Sequence, residues 1–295
     1  MILLLTKLIL NSKLRGTSRL VRFAARRSNV LQNVPVGVLS RKLFLDLRLN
    51  SAQALFLQSG GGGASEPELE VIKKIVRAGD AVYDIGAHLG LYAIHLAEAV
   101  GANGRVFAFE PNRQVLPVLR RTIDGLPNAR LFESALSHQS KTKTLAVPDG
   151  DATMASLMDW TEGRHGKIQF FECETATLDE LIEKERLPAP DFIKCDIEGG
   201  EYDCFRGGAN TLNRSDAPLI LFEANRNSTR GYGLPVSQAF DFLASLTEPQ
   251  YSFYLIGADA RLEKIDSISA EIGHANILAV PRAKAERLTA LDLKN

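Results

Sequence analysis

The chain has 295 residues, of which 45% are hydrophobic and 24% are charged, and its formal net charge is zero. This composition is typical of one large globular domain and excludes a fibrous or disordered chain. Ten of the 35 Lys and Arg residues but only one of the 35 acidic residues, Asp46, lie in the first 50 positions. The other 245 residues therefore carry a net negative charge, and no nucleic-acid-binding surface is expected there.

The first 34 residues form a basic segment, which we separate from a predicted catalytic domain over residues 35–295. Its apolar start, MILLLTKLIL, is interrupted by Lys7 and is too short to span a bilayer, and positions 13–27 continue without an acidic residue. Three interpretations stay open. The segment is an amphipathic helix that makes peripheral contact with an anionic membrane, an organellar presequence, or a basic helix packed on the domain.

Three weaker signals precede the main sheet. The alternation of apolar residues over 36–49 predicts a strand or hairpin. The run SGGGGAS at 59–65 is interpreted as a flexible linker or as a mobile flap over a ligand pocket. Residues 66–77 then predict a helix with Ser65 as its N-cap and Glu68 completing a capping box.

Residues 80–111 predict one strand–turn–helix–strand unit of a nucleotide-binding sheet. Its parts are a strand over 81–85, a helix over 91–100 and a second strand over 106–109. Because the crossover between parallel strands is right-handed, the turn from Gly86 to Gly90 is expected beside Glu110 at the carboxyl edge of the sheet. A ligand bound at that edge would contact both.

The spacing within this unit predicts the ligand. A dinucleotide site needs G-x-G-x-x-G, because bare backbone must approach a pyrophosphate at the helix N-terminus. Here the pattern is D-x-G-x-x-x-G from Asp84, with Gly86 allowing the sharp turn and Gly90 a close approach. His88 replaces the middle glycine, which fits a ligand without a pyrophosphate. Glu110, about 20 residues after the last glycine, is placed to accept hydrogen bonds from both ribose hydroxyls. S-Adenosylmethionine meets both demands, and Asp84 is expected to face its ammonium.

Five further strands are predicted in the rest of the chain. They span residues 129–135, 191–197, 217–224, 251–256 and 275–280. Predicted helices over 112–124, 177–184, 201–206 and 235–247, and alternating segments over 141–147 and 167–174, complete the pattern. The strand at 191–197 delivers Asp196 and Glu198 to the carboxyl edge, and the next strand delivers Glu223 and Asn225 beside them.

Asp196 and Glu198 are the predicted catalytic residues. Methyl transfer is a direct displacement, so the protein must chiefly hold the attacking oxygen in line, and alignment alone can supply roughly 7–11 kcal/mol. A general base adds about 10²–10⁴-fold, so either carboxylate is a base or an orienting group. The alternative is that the run D-I-E-G-G-E, which includes Glu201, only caps the next helix. A divalent ion held by Asp196, Glu198 and Glu223 is also conceivable, but no Asp-Asn pair is present and we expect no metal.

Three runs, VYDIGAHLGLYAIHLA, FAFEPN and IKCDIEGGEYDCFRGGA, resemble the FkbM family of class I S-adenosylmethionine-dependent methyltransferases. The resemblance extends over about residues 35–281 and is more specific than one glycine turn. It implies a Rossmann-like α/β fold with a seven-stranded, mostly parallel sheet, helices on both faces and an antiparallel last strand. It also implies O-methylation. One departure is His88, where the family more often has asparagine.

The predicted cofactor site draws on four strand ends. It comprises Asp84, Gly86, Ala87, Gly90, Glu110, Pro111, Asn112, Ser134, Ala135 and Asp196. The resemblance places Ser134 beside the adenine, and the alternative for Ser134 is a plain turn residue.

We therefore predict an S-adenosylmethionine-dependent methyltransferase that acts on a hydroxyl of a small-molecule, sugar or lipid-like acceptor. Two alternatives come from other classes. A nicotinamide-dependent oxidoreductase shares the acidic residue at Glu110 but needs glycine at position 88, and an inactive membrane-associated scaffold of the same fold would account for the basic N-terminus. The three cysteines, Cys173, Cys195 and Cys204, have no pairing motif and predict a reducing compartment such as the cytoplasm.

Overall fold

Over the part of the chain that the structure describes, the strands form one large sheet and two small ones. In the computed structural model, which describes residues 1–12, 14–59, 66–149, 151–161 and 167–294, the strands are β1 Val34–Val38, β2 Arg41–Leu45, β3 Ala81–Ile85, β4 Arg105–Phe109, β5 Ala129–Phe132, β6 Ala135–Leu136, β7 Lys141–Pro148, β8 Ile168–Ala176, β9 Phe192–Cys195, β10 Leu219–Asn225, β11 Ser252–Ile256, β12 Leu262–Ile265 and β13 His274–Val280. Over these residues the large sheet has the order β12-β11-β13-β10-β9-β3-β4-β5. The strands from β5 to β10 in this order are parallel, and β13 runs antiparallel to both of its neighbours.

The predicted sheet, mostly parallel with an antiparallel last strand, is confirmed, and the structure adds an eighth strand at one edge. β12 pairs antiparallel with β11, in a register that runs from Phe253 opposite Ile265 to Ile256 opposite Leu262. The amide of Gly257 donates to the carbonyl of Arg261 at 2.9 Å and closes the turn between them. β12 has only four residues, too few for a period-2 pattern to be recognised in the sequence.

Helices cover both faces of the large sheet, as predicted. In the described part of the chain the α-helices are α1 Ile2–Asn11, α2 Thr17–Ala25, α3 Asn50–Gln58, α4 Pro67–Ile75, α5 Leu91–Val100, α6 Leu116–Asp124, α7 Leu178–Glu185, α8 Glu201–Arg206, α9 Ala209–Leu212, α10 Arg226–Gly231 and α11 Gln238–Ser245, and 3₁₀ turns lie at Ala152–Met154 and Arg282–Ala290. Successive residues of β3 enter different cores because side chains alternate across a strand: Val82 packs with the cluster that contains α5, and Tyr83 with the cluster that contains α8. Every residue of β3 is buried.

The alternating segments predicted over 141–147 and 167–174 form strands of a separate small sheet. β7 pairs antiparallel with β8, and β6 pairs parallel with β8. The strand predicted over 129–135 is therefore divided, because β5 ends at Phe132 while Ala135 pairs with Thr175 in the small sheet. Ser134 lies in the link between the two sheets.

Three predicted helix starts are wrong, and one of them belongs to the helix expected from residue 235, which begins at Gln238. The helix expected from residue 112 begins at Leu116, because the side-chain oxygen of Asn112 accepts a hydrogen bond from the amide of Gln114 at 3.0 Å and holds a turn instead. The helix expected after Ser65 begins at Pro67, a residue suited to the first helical position because it has no amide hydrogen to satisfy.

The expected cap Ser65 and the glycine run at 60–63 lie outside the described residues. The hydroxyl of Thr177 accepts a hydrogen bond from the amide of Glu180 at 3.2 Å at the start of α7.

The N-terminal segment packs one side on the domain and exposes the other. Val21 and Ala25 of α2 are buried in the same core as β2 and α3. By contrast, Leu4, Leu5 and Leu8 of α1 are exposed. Over the described residues, no helix combines the length and the apolarity needed to cross a bilayer. The division of the chain at residue 34 stays a prediction.

Candidate active site

A cavity of about 540 Å³ opens at the carboxyl edge of the large sheet. It lies where β3, β4, β9 and β10 end, and α3 and the segment between β7 and β8 close it from the other sides. The predicted site residues that line it are Gly86, Ala87, Glu110, Pro111, Ser134, Ala135, Asp196 and Glu198. The topology thus brings together residues that are more than 100 positions apart in the sequence.

The turn after β3 is fixed by Gly86. Its φ angle of 83° lies in the left-handed region, and a Cβ atom at this position would stand 2.0 Å from the carbonyl oxygen of Asp196. The turn and the end of β9 are therefore in direct backbone contact, which only glycine permits. Gly90, with a φ of 91°, precedes α5 and does not line the cavity.

Glu110 is held in place by backbone amides. One carboxylate oxygen accepts from the amide of His88 and the other from the amide of Asn112, both at 2.8 Å. Burial raises the pKa of Glu110 to about 7, although these two hydrogen bonds lower it. Each carboxylate oxygen can accept more than one hydrogen bond, so the group still has capacity for a ligand in the cavity. Asn112 itself does not line the cavity.

His88 lines the cavity as a neutral ring. Burial lowers its pKa to about 4, and Lys194 adds to this effect. Its Nε2 atom lies 3.3 Å from the hydroxyl of Ser51 on α3. The backbone at His88 is left-handed, with a φ of 50°, a conformation that asparagine also tolerates.

Lys194 occupies the place where a ligand ammonium was expected beside Asp84. Asp84 is fully buried and does not line the cavity, and its nearest cation is Lys194, with 3.7 Å between Nζ and the carboxylate. Lys194 also lies 3.5 Å from Asp196 and donates to the carbonyl of Gly86 at 3.0 Å. Burial on its own lowers the pKa of Lys194, but Asp196 and Asp84 outweigh it and raise the pKa. Lys194 was missed by the sequence reasoning, and the signal was a charged residue inside the apolar strand β9.

Four elements contribute polar side chains to the other end of the cavity, which we call the acidic end. It comprises Glu68 of α4, Glu198 of the loop after β9, Glu223 of β10, and His274 and Asn276 of β13. The Nε2 atom of His274 lies 2.7 Å from Glu223, and Asn276 donates to Glu68. His274 and Asn276 follow from the antiparallel pairing of β10 with β13, which places Asn276 directly opposite Glu223.

The carboxyl groups of the acidic end are close enough to perturb one another. Burial raises the pKa of Glu198 to about 10, and the charge of Glu223 is the next largest cause. Burial also raises the pKa of Glu223, while the hydrogen bond with His274 opposes that shift. The same hydrogen bond raises the pKa of His274.

Two other acidic or polar candidates have structural roles. Glu201 accepts a hydrogen bond at 2.9 Å from the amide of Ile197, which belongs to the loop before α8, and it does not line the cavity. Asn225 accepts hydrogen bonds from the amides of Asn227 and Ser228 and caps α10.

Residues 152–157, which lie between β7 and β8, overhang the cavity. Ser156 lines it and donates to the carbonyl of Glu198 at 2.8 Å, and its hydroxyl lies 2.9 Å from that of Tyr232. These contacts fix the loop that carries Glu198, whose φ of 54° is left-handed. Among the described residues, no three His, Cys, Asp or Glu side chains are grouped as metal ligands.

Comparison with known proteins adds a family to this geometry. The sequence profile described as the methyltransferase FkbM domain matches residues 84–253. Hexuronic acid methyltransferase AglP of Haloferax volcanii is 28% identical over 146 residues, which are 49% of this chain and 56% of AglP. The 2-O-methyltransferase NoeI of Sinorhizobium fredii is 24% identical over 187 residues, which are 60% of this chain and 76% of NoeI.

The chain therefore spans little more than half the length of the first of these relatives. Among solved structures, an O-methyltransferase from Bacillus cereus in complex with SAH has a TM-score of 0.42 at 16% identity, covering 73% of this chain and 80% of that one.

Proposed function

The chain belongs to the FkbM methyltransferase family, and from this premise we propose that it transfers a methyl group from S-adenosylmethionine to a hydroxyl oxygen of a small-molecule, sugar-like or lipid-like acceptor. The names of the two relatives, a hexuronic acid methyltransferase and a 2-O-methyltransferase, favour a sugar hydroxyl.

The observation that carries the proposal is the position of Glu110. Its carboxylate lines the cavity beside the Gly86 turn, at the end of the strand next to β3, where a ribose with two free hydroxyls would be bound. The cavity is also rich in carboxylates, which suits a ligand that carries positive charge on sulfur and nitrogen. In the proposed site Glu110 holds the ribose, Gly86 and Ala87 contact the amino-acid part, and Ser134 and Ala135 border the adenine.

Lys194 changes the role proposed for Asp84. With its carboxylate fully buried and 3.7 Å from Lys194, Asp84 is the counter-ion of that lysine. In the proposed site Asp84 acts on the ligand through Lys194, and Asp196 is the carboxylate that meets the ligand itself. Gly90 and Asn112 act indirectly as well, Gly90 by starting α5 and Asn112 by fixing Glu110.

S-Adenosylmethionine supplies a methyl group on a cationic sulfur, which leaves as a neutral thioether when the acceptor oxygen takes the methyl. The chain has to align that oxygen, an effect that can supply roughly 7–11 kcal/mol, and to accept the hydroxyl proton. We propose that Asp196 accepts the hydroxyl proton, since its side chain is 44% exposed and lines the cavity. Glu198, with a pKa of about 10, holds its own proton at neutral pH and orients the acceptor as a hydrogen-bond donor.

Titration calorimetry with S-adenosylmethionine tests the donor assignment. Hydrogen bonds to a charged group contribute about 1.5–3 kcal/mol, so Glu110→Ala is expected to weaken binding by about 10- to 100-fold. The matched control is Glu133→Ala, an exposed glutamate near the same sheet edge that pairs with Arg120. Unchanged affinity in Glu110→Ala contradicts the ribose assignment, and binding of NAD in place of S-adenosylmethionine favours the oxidoreductase.

We also propose that the N-terminal helices touch an anionic membrane while the protein remains in the cytoplasm. Leu4, Leu5 and Leu8 are exposed on α1, Leu20 and Phe23 are exposed on α2, and the first 34 residues contain seven Lys and Arg residues and no acid. Exposed apolar side chains among cations fit an anionic lipid surface. The three cysteines are free and buried, which agrees with a reducing compartment.

Sedimentation with lipid vesicles tests the membrane contact. The full chain is expected to sediment with phosphatidylserine-containing vesicles and not with pure phosphatidylcholine vesicles, and Leu5→Glu with Leu8→Glu is expected to abolish sedimentation. Equal recovery of the variant and the unaltered chain on the anionic vesicles contradicts the proposal.

A further inference from the structure

The acidic end contains two carboxylate oxygens that lack a partner. One is Oε2 of Glu198 and the other is Oε2 of Glu223, and both are buried without a hydrogen bond. The Glu223 residue is only 8% exposed, and its other oxygen is held by His274 at 2.7 Å. An unpaired buried polar atom costs roughly 1–3 kcal/mol, so a cavity that keeps two of them is suited to a ligand that supplies the missing hydrogen bonds.

The chemistry of these atoms specifies the ligand. An ionised carboxylate only accepts hydrogen bonds, and a protonated carboxyl group donates one as well. Burial, and after it the charge of Glu223, raises the pKa of Glu198 to about 10, so Glu198 keeps its proton at neutral pH. A hydroxyl group both donates and accepts, and two neighbouring hydroxyl groups therefore satisfy both carboxyl groups.

The charge of the acidic end works against an anionic ligand. A carboxylate or phosphate bound there would lie next to the carboxyl groups of Glu68 and Glu223, and juxtaposed like charges cost several kcal/mol. The buried cation of the cavity, Lys194, is already committed to Asp84, Asp196 and the Gly86 carbonyl. His274 is bound to Glu223.

We propose that the acidic end is the acceptor subsite, and that it binds uncharged, polyhydroxylated acceptors through Glu198 and Glu223 while it discriminates against acceptors that carry a carboxylate or phosphate. This inference rests on the proposed methyl transfer to oxygen. It separates this chain from AglP, whose name specifies a hexuronic acid.

Labelling with tritiated S-adenosylmethionine tests the discrimination on the full chain. Glycans and polar lipids from a cell extract are separated by anion exchange into a neutral and an anionic pool, and each pool is incubated with the protein. The neutral pool is expected to take up at least about tenfold more label per mole of hydroxyl acceptor than the anionic pool, since 1.4 kcal/mol corresponds to a factor of ten. More label in the anionic pool overturns the inference, and so does an absence of label from both pools.

Calorimetry with S-adenosylmethionine on the same preparation distinguishes failure of the acceptor inference from failure of the proposed function. If the protein binds S-adenosylmethionine but labels the wrong pool or none, the acceptor inference alone is wrong. If it does not bind S-adenosylmethionine, the proposed function is wrong as well.

Glu223→Gln tests whether the acidic end causes the selectivity. The substitution keeps the shape and removes the charge, so the ratio of neutral to anionic labelling is expected to fall by about tenfold. Glu263→Gln makes the same chemical change on the exposed part of β12 and is expected to leave the ratio unchanged. Thermal unfolding of both variants shows that the fold is intact, and an unaltered ratio in folded Glu223→Gln overturns the inference.

Discussion

The two ends of the cavity hold buried carboxyl groups in opposite ways. The donor end is the part of the cavity formed by the Gly86 turn and Glu110, where we propose that the methyl donor binds. There both oxygens of Glu110 accept hydrogen bonds from backbone amides, at 2.8 Å each, and these amides belong to the turn and the strand end that form the site. At the acidic end, Glu198 and Glu223 each keep one buried oxygen without a partner. Each oxygen of Glu110 thus has a hydrogen-bond donor within the protein, whereas among the described residues Glu198 and Glu223 each have one oxygen without a donor.

This difference indicates that the two ends of the cavity have different binding roles. A carboxylate fixed by two amides has one orientation, so the donor end is preorganised for a single ligand shape. A carboxyl pair with unpartnered oxygens depends on what binds to it, as expected of a subsite for the acceptor. Asp196 lies between the two ends, and Lys194 links it to Asp84.

The largest expected effect is that of Asp196→Asn, which removes the proposed proton acceptor from between the two ends. The kcat is expected to fall by about 10²–10⁴-fold, the usual contribution of a positioned general base. The affinity for S-adenosylmethionine, measured by calorimetry, is expected to change far less. Asp216→Asn is the control because Asp216 is exposed and pairs with neighbouring Arg214. A loss confined to donor affinity, with kcat retained, would assign Asp196 to the donor end instead.

The next effect concerns the backbone that makes the donor end rigid. Gly86→Ala places a Cβ atom 2.0 Å from the carbonyl oxygen of Asp196, so β3 and β9 must move apart. Gly79→Ala is matched for strain, since its φ of 91° is also left-handed, but its Cβ atom meets nothing within 4 Å. We expect Gly79→Ala to lower the free energy of unfolding by about 1–2 kcal/mol, and Gly86→Ala to lower it by roughly 1–3 kcal/mol more. Equal losses in urea denaturation would contradict the backbone contact.

The donor end could be predicted from the sequence because its parts are close together in the chain and follow from local rules. An apolar run, two glycines and an acid about 20 residues later place the turn after β3 beside Glu110, and the structure has both in that position. The prediction that failed here depends on a contact between distant parts of the chain. The site of Asp84 already contains the ammonium of Lys194, which reaches it from a different strand.

The acidic end could be predicted only in part, because it depends on strand pairing across the sheet. Asp196, Glu198 and Glu223 follow from strands recognised in the sequence. His274 and Asn276 reach the cavity only because β13 is inserted antiparallel beside β10, a register that periodicity does not reveal. A lone histidine at the start of the last predicted strand carries no signal by itself, and its hydrogen bond with Glu223 is a tertiary contact.

The smallest expected effect is on the pH dependence of stability. Removing the carboxyl group of Glu198 is expected to stabilise the protein at high pH, whereas loss of a carboxyl group with a lowered pKa would destabilise it. The pKa of Glu198 is raised from its ordinary value of 4.5 to about 10, chiefly by burial, so the folded protein holds this proton more tightly than the unfolded chain. The stability that the protonated group contributes is fully present below pH 4.5 and is lost as the pH rises toward 10, since the folded state then binds more protons than the unfolded one.

Glu198→Gln cannot ionise, so the free energy of unfolding of the variant is expected to depend less on pH than that of the unaltered protein. In urea denaturation the two are expected to differ little at about pH 5 and the variant to be the more stable at about pH 8, by an amount on the order of 1 kcal/mol or more. A residual slope is expected from Glu110 and Glu201, whose pKa values are raised to about 7 and about 8. Parallel pH profiles for both proteins would contradict the buried placement of Glu198. A rise in stability limited to high pH would show that the acidic end is held ready for its ligand at the expense of the unliganded fold.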